Sequence, residues 1–301
     1  MKKANQQEPK VILYYKFVPV NDPNITMRWQ RELCSRLGLT GRIIISPHGI
    51  NGTLGGGLEN LREYKREMNR SVTFKNIMYK WSDGTGGDFP KLSVKVREEL
   101  VAFKAADEMV VTERGVENGG IHLKPEQVHA LIKERGDEVI FFDGRNSYEA
   151  QVGKFKNAVI PAVETTPDFL KELEDPKYDA IKDRPIITYC TGGIRCEILS
   201  VLMKNRGFKE VYQIDGGIVK YGEKYGDEGF WEGNLYIFDG RMNHTFSPNA
   251  KTIGECVHCG GKTSRFINCA DVSCNKLRLV CENCNEKTYC EVHQVLVVSS
   301  V

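Results

Sequence analysis

Cys190 is the residue of this 301-residue chain best placed to do chemistry. It opens the stretch Cys190-Thr191-Gly192-Gly193-Ile194-Arg195, directly after the apolar run Pro185-Ile-Ile-Thr-Tyr189 and directly before a helical pattern. In an open α/β sheet, the loop that leaves the carboxyl end of a strand and enters a helix is where ligands bind. Paired glycines let the backbone curl its N–H groups toward a sulfur, the helix dipole adds partial positive charge, and Arg195 adds a full one. A thiol so placed ionises readily. Cys190 and Arg195 are therefore the candidate catalytic residues, with Thr191, Gly192, Gly193 and Ile194 as candidate substrate contacts. An inert packing cysteine needs neither the Gly-Gly turn nor the arginine.

A second group is the C-terminal series Cys256-x-x-Cys259, Cys269-x4-Cys274, Cys281-x-x-Cys284 and Cys290-x-x-His293. Paired ligands at this spacing suit tetrahedral zinc, and eight ligands make two ions with four each. No position is left open, so the sites are expected to be structural, with folding coupled to metal binding. Sequential and interleaved pairings both remain open, and His258 is a substitute should His293 not ligate. Seven thiolates and two Zn²⁺ would leave this tail slightly negative, which argues against a basic RNA clamp.

The third group is Ser46-Pro-His48-Gly-Ile-Asn51-Gly-Thr53, a polar loop between two expected strands. His48 and Asn51 could contact phosphate or read an unstacked base, while a plain hairpin turn would use the same glycines. Trp81-Ser-Asp-Gly-Thr-Gly-Gly-Asp-Phe89 offers a further Gly-rich loop whose flanking aromatics could stack on RNA. Cys196, on the first turn after the Cys190 loop, could resolve an oxidised Cys190 or simply pack against the sheet. Cys34 carries no partner signal and reads as structural.

These groups need elements to position them. Residues 1–117 are expected to form a ferredoxin-like or acylphosphatase-like α+β domain, with helices at Pro23–Gly38 and Leu58–Asn69. Its strands are expected in 11–20, 42–46 and 51–54, with further β-rich runs at Phe74–Trp81 and Leu92–Val96. Residues 118–245 alternate strands and helices. Val139–Asp143 and Pro185–Cys190 are continuous apolar runs that suit a doubly wound parallel sheet. Helices are expected at Lys124–Arg135, Thr166–Glu174 and Cys196–Gly207, with a strand at Val211–Ile214. Residues 246–301 form the Cys-rich, zinc-binding tail.

Composition is that of a globular protein: 41% hydrophobic, 27% charged, net charge +2. No apolar run approaches the ~18 residues a membrane span requires, and the N-terminus lacks the marks of a secretion signal, so a cytoplasmic protein is expected. Residues 1–120 hold 19 Lys and Arg against 14 Asp and Glu, and residues 121–240 hold 16 against 21, which makes the first third the better nucleic-acid face.

Residues 121–232 resemble a rhodanese domain. The Cys190–Arg195 loop is similar to its active-site loop, Phe142-Asp143-Gly144-Arg145 resembles its Asp-x-Arg strand end, and Gln213-Ile-Asp-Gly-Gly-Ile218 resembles its late Gly-Gly turn. Together with Ile45–Thr53 and the Cys-rich tail, Tyr189–Glu197 makes nearly the full chain resemble the rhodanese-related tRNA uridine hydroxylase family. The resemblance implies oxygen-dependent conversion of the wobble uridine (position 34) to 5-hydroxyuridine, with Cys190 catalytic. It also implies Asp143 and Arg145 near the substrate, the tRNA anticodon region as partner, molecular oxygen as co-substrate and no nucleotide cofactor. A sulfur or redox donor protein would be a further partner. The loop chemistry also suits a sulfurtransferase carrying a Cys190 persulfide, and a rhodanese scaffold could serve as a non-catalytic adaptor.

Overall fold

The computed structural model of the chain describes residues 8–271, 273–274, 276–284 and 289–293. The N-terminal part runs β1 (Pro9–Phe17), α1 (Pro23–Arg36), β2 (Thr40–Ser46), β3 (Gly49–Gly57), α2 (Leu58–Arg70), β4 (Tyr79–Asp83) and β5 (Leu92–Val96). Asp22 caps α1 by accepting a hydrogen bond from the Ile25 N–H at 2.9 Å, and Pro23 fills the first helical position. The helix stops at Arg36, before Gly38 turns the chain at φ +61°.

The five strands lie in the order β4-β1-β3-β2-β5, all antiparallel except the β2–β5 pair. Alternation along β1 decides what each face does. Ile12 and Tyr14 point to the helices and pack in one core with Leu54, Leu61 and Tyr64. Tyr15 and Phe17 point the other way, into a second core shared with Phe142, Phe169 and Leu199. Leu100, Phe103 and Met109, from the segment after β5, enter that second core as well. The β-rich run at 74–81 becomes a strand only from Tyr79, because Asn76 adopts φ +63° and closes a turn after α2.

The second part contains β6 (Ile121–Leu123), α3 (Pro125–Arg135), β7 (Ile140–Asp143), β8 (Pro185–Tyr189), α4 (Ile194–Asn205), β9 (Glu210–Ile214) and α5 (Gly217–Tyr225). Its sheet is fully parallel in the order β6-β9-β8-β7. Every residue of β7 and β8 is buried, as their continuous apolar character requires. Helix α4 covers one face through Ile198, Leu199 and Leu202, while α3 and α5 cover the other through Val128, Ile218 and Tyr221.

Three sequence expectations change here. Helix α4 starts two residues earlier than expected, so Ile194 and Arg195 belong to its first turn. The helix expected at Thr166–Glu174 is a 3₁₀ turn at Thr166–Asp168 followed by one α turn at Phe169–Glu172, with Pro167 inside the 3₁₀ turn. Helix α5, missed in the sequence, begins at the Gly216–Gly217 turn and has Gly222 inside it and Gly226 at its end, which masked the periodicity.

The tail is anchored rather than appended. Its short hairpin of Phe266–Asn268 with Leu277–Leu279 packs Phe266 and Leu279 against Val152 and Tyr236, beside the pairing of Gly153–Phe155 with Trp231–Gly233 inside the second part. Among the described residues, no helix is long and apolar enough to cross a membrane.

Candidate active site

Strand β8 delivers Cys190 to the carboxyl edge of the parallel sheet, with 1% of the residue exposed. Gly193 then adopts φ +101°, open to glycine alone at low cost, and its N–H donates to Cys190 Sγ at 3.2 Å. The Gly216–Gly217 turn closes over the loop from below. Both glycines have positive φ, and a Cβ at Gly217 would collide with the carbonyl oxygen of Cys190. The first turn of α5 holds the loop directly: the N–H groups of Ile218 and Val219 donate to the carbonyls of Cys190 (2.9 Å) and Thr191 (3.1 Å). The N-terminus of α4 thus faces the sulfur, the arrangement that favours an anion, while the N-terminus of α5 ties down the loop backbone.

Burial pushes the Cys190 thiol up, but the Cys196 S–H, the Arg195 charge and the N–H groups of Cys196 and Gly193 outweigh it and bring its pKa down to about 6. Cys196 behaves oppositely. Burial and donation to Cys190 hold it well above the usual thiol range, and Thr188 Oγ1 lies 3.5 Å from its sulfur. Cys196 is fully buried on α4, so packing and donation to Cys190 are both roles it visibly fills.

Arg195 supplies its charge from a fixed position that the sequence did not reveal. Its guanidinium makes a bidentate pair with Glu149 (2.5 and 2.8 Å) and donates to Thr191 Oγ1 at 3.3 Å. Glu149 is 0% exposed and sits in a four-residue helix whose Asn146–Glu149 capping box was the only local signal for it. The same guanidinium lies 5.6 Å from the centre of the Phe238 ring, and Phe238 is 47% exposed. An accessible aromatic beside the loop is another residue the sequence did not single out.

Asp143 and Arg145 sit behind the loop, not at its open side. Both are 0% exposed. Arg145 donates to both carboxylate oxygens of Asp143 (2.9 and 2.6 Å) and to the Gly153 carbonyl at 2.7 Å, with its guanidinium 5.6 and 5.3 Å from the ring centres of Tyr189 and Trp231. The Gly144 N–H donates to the Tyr189 carbonyl next to Cys190. Their observed contacts bind strand ends together, and neither offers an atom to solvent.

The N-terminal sheet forms the opposite wall. A Cβ at Gly192 would lie 2.6 Å from Leu13 Cδ2, and one at Gly193 would lie 2.8 Å from Tyr15 Oη. Tyr15 donates to Glu197 Oε1 at 3.1 Å, and Glu197 also bonds His122 (2.9 Å) and Gln213 (3.2 Å). Asn51 pairs with Tyr15 across β1 and β3, which places it on the wall that faces the loop, where its amide reaches the Leu100 carbonyl at 3.4 Å. His48 lies in the β2–β3 turn, with its N–H bonded to Ser46 Oγ and its Nδ1 buried without a hydrogen-bond partner among the described residues. Of the aromatics proposed to stack on RNA, Phe89 is buried and Trp81 packs against the N-terminal core. Asp88 instead folds the intervening loop by accepting from the N–H groups of Thr85 and Gly86.

The tail ligands resolve into two interleaved sets, Cys256, Cys259, Cys281 and Cys284, and Cys269, Cys274, Cys290 and His293, each with its ligand atoms within 4.8 Å of one another. The Cys259–Cys281 and Cys274–Cys290 sulfurs are 3.6 and 3.8 Å apart, close to the roughly 3.8 Å edge of a tetrahedron with metal–sulfur bonds of about 2.3 Å. Both sets could hold a metal ion. His293 belongs to the second, and His258 instead lies 3.4 Å from Arg278.

Comparison with known proteins agrees with this architecture. Residues 9–100 match the UPF0176 acylphosphatase like domain, residues 124–224 the rhodanese-like domain, and residues 232–294 the rhodanase C-terminal domain. The chain is 60% identical over 277 residues to the tRNA uridine(34) hydroxylase of Corynebacterium jeikeium, covering 92% of this chain and 90% of that one. It is 58% identical over 278 residues to the enzyme of the same name from Arthrobacter sp., covering 91% and 94%. With three domain matches in the same order as its folded parts, and identity of this level over nine-tenths of its length, the chain belongs to the tRNA uridine(34) hydroxylase family.

Proposed function

We propose that this chain is a tRNA-modifying oxidoreductase that hydroxylates carbon 5 of the wobble uridine through Cys190, in the anticodon region of tRNA. The observation that carries the reading is a thiol whose pKa is brought down to about 6 at the N-terminus of α4, in a chain 60% identical to a named tRNA uridine(34) hydroxylase. A thiolate adds to carbon 6 of a uracil ring and leaves enolate character at carbon 5, which makes that carbon the one able to meet an oxidant. N–H groups of the loop steady the negative charge, and Arg195, held by Glu149 and Thr191, fixes the loop that presents them. Molecular oxygen supplies the inserted atom. The second oxygen atom leaves as water, with two electrons and two protons from an external dithiol reductant.

Thr191, Gly192, Gly193 and Ile194 shape the base pocket, Phe238 offers a stacking surface for an anticodon base, and Asn51 and His48 lie on the N-terminal side that would receive the RNA backbone. Asp143 and Arg145 act as a buried lock on the strand ends. Two structural zinc ions occupy the tail sets, because thiolate-rich tetrahedral sites without an open position suit zinc.

The test is mass spectrometry of nucleosides from unmodified tRNA incubated aerobically with the protein and a dithiol, beside a Cys190→Ser variant. A gain of one oxygen on the wobble uridine that vanishes in the variant is expected. No gain, together with Cys190-dependent sulfur transfer from thiosulfate to cyanide, would replace this reading with the sulfurtransferase.

A further inference from the structure

Strand β4 carries a lysine into the wall that faces Cys190. Lys80 pairs with Leu13 in β1, and Leu13 is the residue against Gly192, so the two side chains share the loop-facing side of the sheet. The Lys80 ammonium lies 4.9 Å from the centre of the Tyr15 ring, the same tyrosine that touches Gly193. Its Cε would stand 3.3 Å from a Cβ at Gly216, in the turn that closes under the Cys190 loop. Only 5% of the residue is exposed. Even so, among the described residues its Nζ makes no hydrogen bond or ion pair: it lies over the tyrosine ring and in the longer-range field of Cys190, Asp215 and Glu197. Burial without a hydrogen-bond partner is costly for an ammonium unless something else meets it.

We propose that Lys80 is a further catalytic residue, whose ammonium meets the exocyclic oxygen of the uracil ring on which negative charge develops when Cys190 adds to the base. The proposal rests on the uridine reading above. In the addition, a lone pair of Cys190 Sγ forms the bond to carbon 6, the carbon 5–carbon 6 π pair moves to carbon 4–carbon 5, and the carbonyl pair moves onto O4. The Lys80 N–H donates a hydrogen bond to that O4. No proton is released and no electron is lost, so the step reverses cleanly until carbon 5 is oxidised. The ammonium is strongest where it is least hydrated, which is the use of burying it.

The surroundings of Lys80 also set its titration. Burial lowers its pKa to about 8, with Lys220 adding to the fall, while Cys190, Asp215 and Glu197 oppose it. Tyr15, packed against it, stays neutral because burial, Glu197 and Cys190 raise its pKa well beyond the working range. The rate must therefore rise with pH as Cys190 ionises and fall again as Lys80 loses its proton.

The experiment compares wild type, Lys80→Met and Lys80→Arg in the aerobic tRNA assay, reading kcat, KM and the pH profile of kcat/KM. For Lys80→Met, kcat is expected to fall on the order of 100-fold with KM within about 3-fold, the size of losing one charge-stabilising donor. Lys80→Arg keeps the charge and is expected to recover to within about 10-fold. Its profile should lose the alkaline fall near pH 8, since a guanidinium does not titrate there. Wild-type kcat in Lys80→Met, a loss confined to KM, Lys80→Arg as poor as Lys80→Met, or an alkaline fall that persists in Lys80→Arg would each overturn the proposal. If Lys80→Met does not fold, the arginine variant and its pH profile decide alone. A wild-type protein that leaves unmodified tRNA unhydroxylated overturns the uridine reading itself, and this proposal falls with it.

Discussion

Two regions of this molecule use cysteine, and they do so in opposite ways. In the tail, Cys256, Cys259, Cys281 and Cys284 surround one point and Cys269, Cys274, Cys290 and His293 another, so each set could be taken up entirely by one metal ion. At the carboxyl end of β8, one thiol is surrounded by N–H groups, a guanidinium and a second thiol, none of which consumes it. The tail is a site built to be closed; the loop is a site built to hold a negative sulfur ready. The teaching is that the count of charged or soft ligands around a cysteine separates structure from reactivity better than burial does. Cys190 is as buried as Cys290.

This contrast can be broken most forcefully from the tail side. If each set holds a structural zinc, replacing Cys256 and Cys281 with serine is expected to release one metal equivalent and to loosen the segments around Cys256–Cys259 and Cys281–Cys284, because such an ion contributes on the order of 10 kcal/mol to folding. Colorimetric metal release and protease sensitivity of the tail report both effects. The Cys190 loop, held by β8, α4 and α5, should keep its thiolate in the same variant. A loop thiolate lost together with the tail metal would show that the two cysteine sites are one cooperative unit.

A smaller effect is expected at Glu149. Glu149→Ala leaves the Arg195 guanidinium buried without its bidentate partner and should cost about 3–5 kcal/mol of stability. Thermal unfolding is the measurement, with a fall of several degrees as the expected result. A midpoint unchanged within error would mean that Arg195 finds another partner, and that the loop owes its geometry to the glycines alone.

The finest test concerns the proton on Cys190. The ultraviolet thiolate signal of wild type minus that of Cys190→Ser should appear with a midpoint near pH 6, far below a free thiol at about 8.5. The sign follows from a lowered folded-state pKa: the thiolate is present above pH 6 and is lost as pH falls through it. Cys196→Ala removes a donor to the sulfur and should move that midpoint upward. An unmoved midpoint would assign the thiolate to Arg195 and the loop N–H groups only.

Local pattern carried a good deal of this reading. The tail spacing announced metal ligands because a tetrahedral site needs pairs close in the chain, and the apolar runs ending at Asp143 and Tyr189 announced a covered parallel sheet because such strands are buried on both faces. Cys190 followed from its place between such a strand and a helix. Glu149, Phe238 and Lys80 were not legible, since each reaches the loop from a different part of the chain and none has a distinctive neighbourhood in sequence.

Sequence by itself determined the two α/β parts, the place of Cys190 between a buried strand and a helix, and the eight tail residues that could ligate metal, all of which depend on periodicity or on residues within a few positions of one another. Tertiary structure alone decided which of those tail residues come together, that Arg195 is braced by Glu149, and that the N-terminal sheet turns Leu13, Tyr15 and Lys80 toward the Cys190 loop. The physical reason is that an electrostatic environment is a sum over neighbours in space. Chain spacing specifies only those neighbours that a helix, a strand or a tight turn brings together.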